Sequence, residues 1–144
     1  MASTLSHLRQ WKHNRDFLST IAFPYTDWIV TVAFYTALHA VDALLAAEGV
    51  KRVTDHRSRN GVLMDTNRYQ KIWKLFSPLY NLSQTVRYLA NPADWVPYSC
   101  ISRDILGRYL YPIEDSVKGL LMVRKAIQDS DMPNSPIQIP SPVV

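Results

Sequence analysis

Residues 27–60, DWIVTVAFYTALHAVDALLAAEGVKRVTDHRSRN, constrain this chain more than any other stretch. From Ile29 to Leu45 the residues are apolar almost all round a helix. A helix of that kind is covered on most sides, so it is a central element. Three polar groups interrupt it: Tyr35, His39 and Asp42. At about 100° per residue they fall within one narrow stripe. Polar groups on a buried helix must find partners or line a site. His39 and Asp42 can bond one another, or each can bond elsewhere. The expectation is that Tyr35, His39 and Asp42 share a polar pocket. The stretch approaches membrane-spanning length, but His39 and Asp42 near its middle are costly in lipid. A buried core helix is expected, with no membrane partner.

The fold class follows from patterning. A chain of 144 residues that is 47% apolar suits one domain with a real core. It has four glycines and almost no alternating runs, which points to an all-α, up-and-down bundle of four to five helices. A first helix is expected from about Thr4 to Ile21, with Leu5, Leu8, Trp11, Leu18 and Ile21 inward. Pro24 follows it. Thr26 or Asp27 can cap the second helix, which stops near Gly49. Residues 50–67 read as a basic connection with at most a short helical turn. A third helix starts near Tyr69, and Pro78 should kink it or split it after Ser77. Ser102 can cap a fourth, with Ile105, Leu106, Tyr109, Ile113, Val117, Leu120 and Ile127 inward and a kink at Pro112. Residues 1–130 form the bundle. Residues 131–144, with four prolines and no periodicity, form an extended or disordered tail that could also serve as an arm.

The chemistry on offer is basic rather than metal-based. Cys100 is the single cysteine, and no HExxH, ExxH-pair or CxxC spacing joins the four histidines. No metal and no cofactor is expected. Phosphate-cradling Gly-rich loops and a nucleophile elbow are absent. The N-terminus has no signal core, so a reduced, cytoplasmic setting is expected. The net charge of +4 permits an anionic partner without demanding one. Four cations, Lys51, Arg52, Arg57 and Arg59, stand against Asp55 alone, a local charge of +3 with His56 in their midst. Guanidinium groups bind phosphate bidentately and an imidazole moves protons near pH 7. Arg52, His56, Arg57, Arg59 and Asn60 are therefore the candidate contacts to a nucleic acid or nucleotide. His56 and Arg59 are the candidates for any catalysis.

The run DWIVTVAFYTALHAVDALLAAEG, then DHRSRNGVL, then LYNLSQTVRYL resembles the HEPN family (higher eukaryote and prokaryote nucleotide-binding domain). The likeness spans roughly Leu5 to Ile127. It implies a four- or five-helix bundle, usually a homodimer. It also implies RNA- or nucleotide-linked work, often in toxin–antitoxin or phage-defence systems, with an antitoxin or nucleotidyltransferase as partner. Ribonucleases of that family look metal-independent and use an Arg-x4–6-His motif. This chain departs from it. Gly49, Val50 and Lys51 stand where the arginine should precede His56, and Arg52 is one residue too close. Arg108 stands where a histidine would follow Arg103, and arginine is no base at neutral pH. The resulting expectation is an RNA- or nucleotide-binding module. The alternatives are a ribonuclease with a rearranged His56–Arg59 pair, and a dimeric adaptor without nucleic-acid binding.

Overall fold

A computed structural model describes residues 2–21, 25–88, 105–128 and 136–138. The described residues form an all-α bundle without strands. Five helices build it: α1 Thr4–Leu18, α2 Thr26–Ala47, α3 His56–Asp65, α4 Gln70–Arg87 and α5 Tyr111–Val123. A 3-10 turn, Asn67–Tyr69, leads into α4, and a π-helical turn, Leu106–Leu110, leads into α5. Helix α2 is the centre: α1, α4 and α5 all pack on it. Its most apolar window is long enough to cross a membrane and is 78% buried within the bundle. Phe34, Ala37, Val41 and Leu44 are wholly enclosed. Gly49, at φ +74°, lets the chain turn while Val50 N–H still reaches Leu45 O at 2.9 Å.

Several sequence expectations need correction. Helix α1 stops at Leu18, though Ile21 is buried beyond it, and Leu5 is 54% exposed rather than inward. Neither Thr26 nor Asp27 caps α2: Tyr25 occupies the cap position with no side-chain bond. Residues 50–67 hold a full ten-residue helix, α3, where a turn at most was expected. Helix α4 runs through Pro78 unsplit, because Phe76 and Leu79 on either side are fully buried and hold the backbone in place. Pro112 stands at the second residue of α5, directly after the π turn, with the helical chain running on through both. The π turn before it closes with Tyr111 N–H on Leu106 O. Ser102 and most of the Pro-rich tail lie outside the described residues. Of that tail, Ile137 packs on the core and its N–H donates to Tyr111 Oη at 2.8 Å.

Two polar ties, the first buried and the second nearer the surface, join the remaining elements. Glu114 on α5 accepts from Trp11 Nε1 at 2.5 Å and pairs with Arg15, so α1 is clamped to α5. Burial pushes the Glu114 carboxyl above its usual range, against the opposing effect of Arg15 and Trp11. Glu48, at the end of α2, pairs with Arg68 at 2.6 Å and Arg124 at 3.3 Å and accepts from Tyr69 Oη. Burial raises Glu48, but the hydrogen bonds from Arg68 and Tyr69 and the nearby cations overcome it and leave the carboxyl low. Burial and the bond to Glu48 push the Tyr69 phenol up to about 12.

Candidate functional site

Asp55 begins the site. Its carboxylate accepts Ser58 N–H at 2.8 Å, and Ser58 Oγ accepts Asp55 N–H at 3.1 Å, a reciprocal cap that starts α3. This cap puts His56 and Arg59 on the inner side of α3, one turn apart. Arg59 points into the bundle and meets Asp42 on α2. Nε donates to Oδ1 at 2.6 Å and Nη2 to Oδ2 at 2.8 Å. Both residues are buried, at 7% and 8% exposure, so this is a desolvated bidentate pair. Arg59 Nη1 also lies 3.3 Å from His56 Nδ1.

The stripe on α2 does not act as one group, which corrects the shared-pocket expectation. Asp42 turns to Arg59. His39 turns to His7 on α1, with the two Nδ1 atoms 3.1 Å apart. Tyr35 Oη accepts from Arg87 Nη1 on α4 at 2.6 Å. The reason is geometric: a helical stripe crosses the boundary between several neighbours, and each polar group bonds the helix it faces. Burial lowers the affinity of His7, His39 and His56 for a proton. For His56 the charges of Arg59 and Arg87 add to that effect, while for His7 and His39 the Asp42 carboxylate partly opposes it. His56 packs against Phe34 and Tyr80, at ring-centroid distances of 5.8 and 5.7 Å.

A cleft of about 410 Å³ opens beside the Arg59–Asp42 pair. His7, Lys51, Thr54, Asp42 and Arg59 supply its polar wall; Leu45 and Val53 supply apolar surface. Arg52 and Arg57 are exposed, on the segment before α3 and on α3 itself. Asn60 is half-buried and its Oδ1 has no hydrogen-bond partner. Among the described residues no group of three or more His, Cys, Asp or Glu could hold a metal ion. The arrangement can bind an anion: Lys51 and the Thr54 hydroxyl at the mouth, an imidazole beside them, and a fixed ion pair behind.

Two contributors escaped the sequence reading. His7 was visible in principle, because it lies four and eight residues before Trp11 and Arg15, on the face that α1 buries. Arg87 carried no signal as a site residue, since its place near His56 depends on how α4 crosses α2. No protein-family model matches the chain, and neither curated proteins nor solved structures include a significant match.

Proposed function

We propose that this chain is a HEPN-type RNA- or nucleotide-binding module that acts as a homodimer. The observation that carries the reading is the cleft in which His7, Lys51, Thr54 and Arg59 converge, on the same stretch of chain as exposed Arg52 and Arg57. Phosphate contact falls to Lys51, Arg52 and Arg57. Arg59, neutralised by Asp42, orders the wall rather than donating freely. Fluorescence anisotropy with a labelled single-stranded RNA tests this. Lys51→Glu combined with Arg57→Glu should weaken binding and flatten its dependence on salt, since each lost phosphate contact removes counterion release. Affinity indifferent to both changes would leave the adaptor reading in its place.

The position of His56 supports a second reading, a metal-independent ribonuclease. An imidazole held neutral by burial and by Arg59 and Arg87 is able to accept a proton at pH 7. Arg59 Nη1 lies beside it, in place of the absent Arg-x4–6-His spacing. Total RNA incubated in EDTA should then be cleaved by the protein and spared by His56→Ala. RNA left intact by both would retain binding alone. The toxin–antitoxin or phage-defence role belongs to the same proposal, with an antitoxin or nucleotidyltransferase as partner. An adjacent gene for either would support it.

The homodimer has its own test. Phe17, Tyr25, Met64 and Met122 stand on the surface with large apolar side chains, at 49, 59, 52 and 40% exposure. A self-complementary patch is the usual way small domains cover such groups. Light scattering should give twice the chain mass, and a value near 16.5 kDa would sink the dimer.

A further inference from the structure

We propose that the end of the bundle where α2 begins and α4 ends carries a second site, one that stacks a guanine ring. A cleft of about 450 Å³ lies there, lined by Asp27, Trp28, Thr31, Val86, Arg87 and Tyr88. It is separate from the His7–Lys51 cleft. Thr31 and Asp42 are eleven residues apart on α2, about 16 Å at the helical rise of 1.5 Å per residue.

Its chemistry is that of a base platform. Trp28 and Tyr88 are 57% and 72% exposed, a costly way to leave two large rings unless something planar covers them. Arg87 is locked beside them. Its guanidinium carbon lies 5.4 Å from the Tyr35 ring centroid and 5.5 Å from that of Tyr88, and Nε donates to Ser83 O at 3.2 Å. With Nη1 spent on Tyr35 Oη, Nη2 is buried without a hydrogen-bond partner. Aromatic faces with an interleaved arginine are the recurring means of holding single-stranded bases.

The two charged groups narrow the ligand. Arg87 has a donor to spare, and the Asp27 carboxylate has no hydrogen bond or ion pair among the described residues; only its backbone carbonyl is used, by Thr31 Oγ1 at 2.7 Å. A ligand that matches both must offer an acceptor and adjacent donors on one ring. Guanine does so, with O6 beside N1–H and the amino group. Uracil has no amino group for the carboxylate. A phosphate would meet Asp27 as a like charge, so the ring and not the phosphate enters. The ligand class rests on the nucleic-acid reading of the first cleft, but the site uses neither Lys51 nor Arg57.

The test uses the full chain with guanosine, which carries no phosphate, and uridine as comparison. Tryptophan fluorescence and calorimetry give the affinity. Guanosine should quench the emission and bind more tightly than uridine. Trp28→Leu should abolish the quenching, and Tyr88→Ala should weaken binding by roughly tenfold or more. Both side chains are exposed, so neither change should disturb the fold. Asp27→Asn should erase the preference for guanosine. Guanosine that fails to bind at millimolar concentration, or binds equally well to Trp28→Leu and Tyr88→Ala, overturns the site. So does a Trp28→Leu protein whose mass changes in light scattering while guanosine affinity does not, which would make the cleft a protein interface. The two proposals separate cleanly. RNA binding that depends on Lys51 without guanosine binding removes only this site. Guanosine binding with RNA affinity indifferent to Lys51→Glu removes only the first.

Discussion

Asp42 and Arg59 form a pair whose members are worth more together than either is alone. Two charges out of water lean on each other through two hydrogen bonds, so deleting one strands the other. Asp42→Ala and Arg59→Met should each cost about 3–5 kcal/mol in urea unfolding. The double variant Asp42→Leu/Arg59→Met should recover most of that loss, because no unpaired charge remains. Losses that simply add would show that the pair is not coupled. That Asp42 needed a partner was legible in its place on an apolar helix. Which partner was not: Arg59 lies seventeen residues on, and helical spacing orders side chains on one helix without saying what the next helix presents. The same limit hid Arg87. It did not hide the need for one, since a half-buried Tyr35 hydroxyl on an apolar helix called for a partner.

Helix α3 shows how an element can be missed and still be well specified. Its ten residues, HRSRNGVLMD, bury only Arg59, Val62 and Leu63. Three positions make no apolar stripe, so periodicity is silent. The start signal was present in Asp55 and Ser58, but with the acid first and the hydroxyl second, the reverse of the usual capping-box order. By contrast α2 announces itself through an almost unbroken apolar run and α5 through a stripe of Ile113, Val117 and Leu121, and the overall all-α class was plain from them. Because His56 and Arg59 ride on the first turn of α3, the cap sets the site. Asp55→Ala and Ser58→Ala should speed hydrogen exchange at the amides of that turn, lower Tm and weaken RNA binding together. Unchanged exchange at the Ser58 amide would mean that Arg59–Asp42 alone holds the turn. The backbone and side-chain hydrogen bonds of Ser58 keep the Asp55 carboxyl below its usual range. The cap therefore persists above the ordinary carboxylate range and is lost only as pH falls through that lower value.

Across the whole molecule, titratable groups sit where the helices meet, and their shifts predict the response to acid. His7, His39 and His56 are all pushed down, first by burial. In the unfolded chain they take up protons near pH 6.5. In the fold they do so only at lower pH. Below about pH 6.5 the unfolded chain thus binds more protons, and stability falls until the folded values are passed. The His7–His39 contact sharpens this, since one Nδ1 must donate and the other accept, and protonating the acceptor breaks the bond. Glu48 has the same sign in a lower window: its low carboxyl stabilises the fold above about pH 4.5, and that contribution goes as pH falls through its folded value. Glu114 opposes both. Its raised carboxyl takes a proton in the fold before the unfolded chain does, which adds stability as pH falls toward about 4.5. Three histidines against one carboxyl decide the first step. Tm should be flat from about pH 7 to 9 and fall between about pH 6.5 and 5. His7→Gln/His39→Gln should flatten that slope, and Glu114→Gln should steepen it, even though each lowers Tm at pH 7. A Tm that holds steady from pH 7 to 5 in the unmodified chain, or a slope that the histidine changes leave intact, would show that the half-buried imidazoles do not govern how these helices stay together.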